Sequence, residues 1–133
     1  MSKYLKPELT SELREISVLG LAHVGDAVFE LMVRTWLCLS GASTAKQFHG
    51  GAVTFVSAKA QASAVDRIIP VLNDEELAVF KRGRNAHVNS VPRGSTVTEY
   101  HAATGIEVLF GHLYLCGQTD RLDELFELIT GTE

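Results

Sequence analysis

Two acids stand where acids are costly. Asp26 lies within Leu21-Ala22-His23-Val24-Gly25-Asp26-Ala27-Val28-Phe29-Glu30, an otherwise apolar, helix-forming run. Glu107 lies within Gly105-Ile106-Glu107-Val108-Leu109-Phe110-Gly111, a second apolar run with one acid set between small residues. A buried carboxylate wants a metal or a cationic partner. Acids on two facing helices can share one ion, and magnesium needs only one or two protein carboxylates because water and substrate phosphate oxygens fill its remaining positions. Gly25 precedes Asp26, and Gly105 and Gly111 flank Glu107. Glycine inside a helix costs about 1 kcal/mol relative to alanine, so three of them beside the acids call for a packing reason, the close approach of two helix backbones.

Spacing alone leaves a second reading open, in which the acids form ordinary buried ion pairs, as Glu30 and Arg34 can do one turn apart. His23, three residues before Asp26, has the spacing to join a metal site, but a histidine there more often bonds a neighbour at a polar edge. His49, His87, His101 and His112 form no HExxH or HxH pattern, which argues against zinc.

The elements that must position these acids are helical. Apolar residues recur at helical spacing and no stretch alternates as a strand, so the chain reads as all-α with about seven helices. A short first helix follows Pro7, and a long one runs from about Val18 to Leu39. Ser43 or Thr44 caps a third, directed toward Gly50-Gly51, with helix resuming through Phe55. Ser57 caps a fourth with Ala58 to Ile69 as its body, and Pro70 follows. Asn73 with Glu76 has capping-box spacing, starting a fifth at Asp74 that runs to about Asn85. Residues 89–95 read as a loop. A sixth helix spans Val97 to Cys116 and ends at Gly117, and Thr119 caps a seventh with Leu122, Leu125, Phe126 and Ile129 on one face. Phe29, Met32, Val33 and Trp36 make a surface too apolar for water, to be spent on core or on a dimer contact.

A chain of 133 residues suits one domain, 1–133. No apolar run reaches bilayer length and Met1 to Pro7 lacks the apolar block of a secretory signal, so we expect a cytoplasmic protein with no membrane partner. Cys38 and Cys116 have no metal-ligand spacing and read as core filler. The formal net charge of −4 argues mildly against nucleic acid, but its distribution matters more: Lys81 to Arg93 contains no acid. Lys81, Arg82, Arg84, Asn85 and Arg93 offer cations and an amide to a phosphate backbone, or else form a solvated helix end favoured by the helix dipole. Ser57, Lys59 and Gln61 open a helix whose free backbone N–H groups suit phosphate, although Ser57 is an equally good simple cap.

Leu21 to Val28 resembles the ribonuclease III signature, and Glu107-Val108-Leu109-Phe110-Gly111-His112-Leu113-Tyr114-Leu115 resembles that family's second catalytic helix. Val56-Ser57-Ala58-Lys59-Ala60-Gln61-Ala62 and Lys81-Arg82-Gly83-Arg84-Asn85-Ala86 are similar to segments of its Mini-ribonuclease III branch, which has a catalytic domain and no double-stranded-RNA-binding domain. The broader pattern carries further acids where this chain has Leu19, Ala22 and Thr104, a reduced set that the branch shares.

The resemblance implies a ribonuclease III-type endonuclease domain working as a homodimer, with Asp26 and Glu107 as catalytic magnesium ligands and manganese as a substitute ion. It implies contacts to double-stranded RNA from Lys59, Gln61, Arg82, Arg84, Asn85 and Arg93, and products with 5′-phosphate and 3′-hydroxyl ends. The implied task is trimming both ends of precursor 23S ribosomal RNA, with a large-subunit ribosomal protein as a further candidate partner. The competing readings are a non-catalytic RNA-binding or ribosome-assembly module and a purely structural helical dimer. Retention of both Asp26 and Glu107 favours the enzyme over the first, and the second leaves the acid-free basic segment from Lys81 to Arg93 unexplained.

Overall fold

A computed structural model describes residues 2–86 and 94–131. Six α-helices account for most of them: α1 Val18–Leu39, α2 Ala45–Val56, α3 Ala58–Ile68, α4 Asp74–Arg84, α5 Val97–Leu115 and α6 Thr119–Thr130. The short helix expected after Pro7 is a 3-10 helix at Ser11–Glu15, and a second 3-10 segment, Ile69–Val71, carries the chain past Pro70.

Helix α5 is the axle. A helix that is apolar all round must be buried on all sides, and from Ala103 to Leu113 only Thr104 and Glu107 escape full burial. Helices α1, α3, α4 and α6 all pack against it. Phe29 of α1 meets Phe110 of α5 and Phe126 of α6 edge-on, at ring-centroid separations of 5.3 and 6.0 Å, tying three helices at one point. Phe29 and Val33 are therefore core, while Met32 and Trp36 are half-buried along its margin.

Side chains at the helix starts satisfy backbone N–H groups that have no partner within the helix. Thr44 with Gln47, Asn73 with Glu76 and Thr96 with Glu99 form reciprocal capping boxes, and Ser57 Oγ accepts from the Ala60 N–H. Thr119 is not a cap: Gln118 occupies that position without a side-chain bond, and Thr119 is the first helical residue. Gly117 ends the preceding helix in the left-handed region, φ 77°, where a side chain would also press on Pro7 and Glu8. Helix α2 runs unbroken through Gly50-Gly51. A Cβ at Gly51 would strike the Leu37 side chain, so the glycine that looked like a breaker is a contact point between α2 and α1.

Candidate functional site

The backbones of α1 and α5 cross at Gly25 and Gly111. A Cβ at Gly25 would strike the Glu107 carbonyl and sit 2.8 Å from the Gly111 nitrogen; one at Gly111 would strike the Leu21 carbonyl and sit 3.1 Å from the Gly25 nitrogen. No side chain fits at either position, which supplies the packing reason the glycines called for. Gly105 serves a different neighbour: its Cβ would meet the Phe80 ring of α4 at 2.6 Å, while one at Gly83 would meet Val108 at 2.8 Å. Two close crossings thus fix α5 against α1 on one side and α4 on the other.

Asp26 and Glu107 emerge beside the first crossing. They line one cleft of about 440 Å³ with His23, Tyr100, Thr104 and Ala86. The expectation that Asp26 is buried fails, since its side chain is exposed at the mouth and Glu107 is half-buried behind it. Burial, then the negative charge of Asp26, then a hydrogen bond shared with Asp26 push the Glu107 carboxyl up to about 8 from its ordinary value of 4.5. Among the described residues no Lys, Arg or His forms an ion pair with either acid, whereas Glu30 does pair with Arg34. Among the described residues the ordinary ion-pair reading is thus met by Glu30 and not by the two cleft acids.

Two converging carboxylates without a cation are a hard-oxygen donor set matched to a divalent ion, and the open cleft leaves room for water and phosphate oxygens. No group of three or more His, Cys, Asp or Glu side chains gathers around a common point among the described residues; Asp26 and Glu107 are the two carboxylates that share this cleft. His23 is exposed at the rim, one turn before Asp26. Leu19, Ala22 and Thr104, where the broader pattern carries acids, line this same cleft. The Thr104 hydroxyl is turned back to the Tyr100 carbonyl at 2.9 Å.

Tyr100 was not singled out from sequence. It stands seven residues before Glu107, two helical turns along the same face, and that spacing was the available signal.

The other candidate residues separate by exposure. Arg82, Arg84 and Asn85 are exposed together at the end of α4, and the next residue, Ala86, already lines the cleft. Arg84 donates to Asn85 Oδ1 at 3.3 Å and lies 5.9 Å from the Phe80 ring centre. Lys59 is exposed in the first turn of α3. Gln61 corrects the sequence reading: it is 3 % exposed and its Nε2 has no partner, because the α3 face made by Gln61, Ala64 and Ile68 turns inward. Its amide does not reach a phosphate backbone lying on the surface. Arg93 and residues 89–93 of the expected loop lie outside the described residues. Cys38 is exposed rather than core filler, and Cys116 is half-buried, its thiol pushed up by burial and then by Glu75.

An all-helical chain with two acids at a glycine crossing has a known counterpart: residues 19–118 match the Ribonuclease III domain. The chain belongs to the ribonuclease III family, whose members are endoribonucleases. Within the family it is similar to Mini-ribonuclease 3 of Clostridium tetani, 38% identical over 97% of this chain and 87% of that one. It is also similar to Mini-ribonuclease 3 of a Thermoanaerobacter species, 42% identical over 90% and 85% of the two chains. A Fusobacterium nucleatum protein of known crystal structure shares the fold with a TM-score of 0.82, at 29% identity, over 92% of this chain and 99% of that one.

Proposed function

We propose that this single-domain chain is a magnesium-dependent endoribonuclease that cuts double-stranded RNA and, as a homodimer, trims both ends of precursor 23S ribosomal RNA. The observation that carries this reading is the Asp26–Glu107 pair, held together by the Gly25–Gly111 crossing with no cation beside it among the described residues. Asp26 and Glu107 would hold the ion, which when bound supplies Lewis acidity toward a phosphodiester and its attacking water; manganese has the same oxygen preference. The helix crossing fixes the backbones that carry both carboxylates before substrate arrives.

Lys59, Arg82, Arg84 and Asn85 grip phosphates and 2′-hydroxyls, as duplex RNA is recognised mostly by shape. Arg82, Arg84 and Asn85 adjoin the cleft through Ala86, so backbone held there runs past the acids. Leu31 and Leu39 remain exposed along α1 away from the acid cleft, which supports a second copy packing on that helix.

The test is cleavage of an end-labelled duplex that mimics the paired 23S precursor termini, with magnesium or chelator. Wild type is expected to make staggered, magnesium-dependent cuts, while Asp26→Asn and Glu107→Gln make none. Wild-type cutting by either variant sinks the assignment of the acids. Binding without cutting under any divalent ion replaces the enzyme with an RNA-binding module.

A further inference from the structure

A second cleft, of about 930 Å³, opens between α3, α4 and α5. It reaches the size usual for small-molecule sites. It is separate from the acid cleft yet adjoins it along the chain: Ala86 and Tyr100 line the acid cleft, and their neighbours Asn85 and His101 line this one. Three of its charged groups lack ion-pair partners among the described residues or are held ready for a ligand.

Asp66 and Lys81 face this cleft, and neither takes part in an ion pair among the described residues. The Arg84 guanidinium is held at the cleft by the Phe80 ring and by Asn85, so its planar group is oriented in advance. Val65 and Ile69, both half-buried, supply an apolar wall.

A ligand fitting this set has a flat face to stack on a guanidinium, N–H donors for a carboxylate and a negative charge for an ammonium. A nucleotide has all three. RNA-binding sites take unpaired bases by stacking on arginine planes and by hydrogen bonds to their edges, whereas a paired base has neither face nor edge free. We propose that the α3–α4–α5 cleft is a subsite for an unpaired nucleotide flanking the duplex, an inference that rests on the double-stranded-RNA reading above. Its base stacks on Arg84 with its edge toward Asp66, and its phosphate lies toward Lys81. The subsite gives the chain a preference for duplexes that continue into single strand.

The experiment compares binding of a blunt duplex with the same duplex bearing a four-nucleotide extension at its 3′ or its 5′ end, in chelator at low salt. Wild type, Ala62→Trp, which fills the cleft from α3, and Asp66→Ala, a surface change that keeps the fold, are measured together. An extension is expected to tighten wild-type binding about tenfold. Both variants should reduce that gain to twofold or less while blunt-duplex binding and cleavage stay within twofold of wild type. If Ala62→Trp does not fold by circular dichroism, Asp66→Ala decides alone. Equal wild-type affinity for blunt and extended duplexes overturns the proposal, as does a gain that survives Asp66→Ala. Saturable binding of a free nucleoside monophosphate without any gain from an extension overturns it in favour of a free nucleotide. Failure to bind either duplex overturns the RNA reading itself, and the subsite with it.

Discussion

Glu76 and Glu107 are glutamates on neighbouring helices, and the protein treats them oppositely. Glu76, 3 % exposed, is fully answered. Arg121 reaches it with two donors at 2.9 Å, its backbone N–H and side chain complete the Asn73 capping box, and Arg121 also binds the Val71 carbonyl and Glu124. Burial alone would raise the Glu76 carboxyl, but Arg121 and the Asn73 N–H outweigh it and hold the acid below its ordinary range. Glu107 is pressed toward a second acid and raised to about 8. One carboxylate locks α4 to α6; the other is left needing positive charge at the mouth of a cleft. A structural acid arrives with its partner in the fold, and Glu107 has no such cationic partner among the described residues.

Breaking the crossing that holds Glu107 should have the largest effect. Gly25→Ala drives a methyl into the Glu107 carbonyl and is expected to cost more than about 4 kcal/mol, so denaturant or thermal melts should show a chain that barely folds. Breaking the answered acid comes next. Glu76→Ala strands Arg121 and removes a cap, with an expected loss of about 3–5 kcal/mol in urea unfolding and no specific effect on magnesium dependence.

Glu107→Gln should act in the opposite direction. Between pH 4.5 and 8 the folded chain keeps a proton that the unfolded chain has released, so in chelator wild-type stability falls as pH rises through that window and levels off above it. At pH 8 the variant should therefore be more stable than wild type, by about 2 kcal/mol once screening at the open cleft is allowed for, with a flatter melting profile from pH 5 to 8. A variant less stable than wild type at pH 8 would place Glu107 with Glu76 as a structural acid.

The smallest effect is expected at the rim. Arg82→Glu should leave the melting temperature unchanged, weaken duplex binding and lower the slope of log affinity against log salt by about 1. An unchanged slope removes Arg82 from the phosphate contacts.

Much of this was legible in the sequence because its causes are local. Glycines inside apolar helices point to close crossings, and Asn73 with Glu76 announces a cap within four residues. What stayed hidden depends on distant neighbours. The Glu76–Arg121 pair spans 45 residues, and no periodicity links its members. Gln61 looked available at a helix start, yet the turn of α3 that brings Ala64 and Ile68 inward takes it with them. Asp26 looked buried because its neighbours are apolar, but the crossing at Gly25 places it on the flank of α1 that opens into the cleft. Gly105 beside Glu107 suggested the same crossing as Gly111, and only the packed structure shows that it faces α4.

The claim that Glu107 and Asp26 are held for a cation is tested most directly by thermal unfolding at pH 8 as magnesium is titrated into wild type and Glu107→Gln. A saturable rise in wild-type melting temperature of several degrees, growing with the logarithm of magnesium once the site fills and absent from the variant, is the predicted result. Equal shifts in the two proteins, or none in wild type, would contradict it.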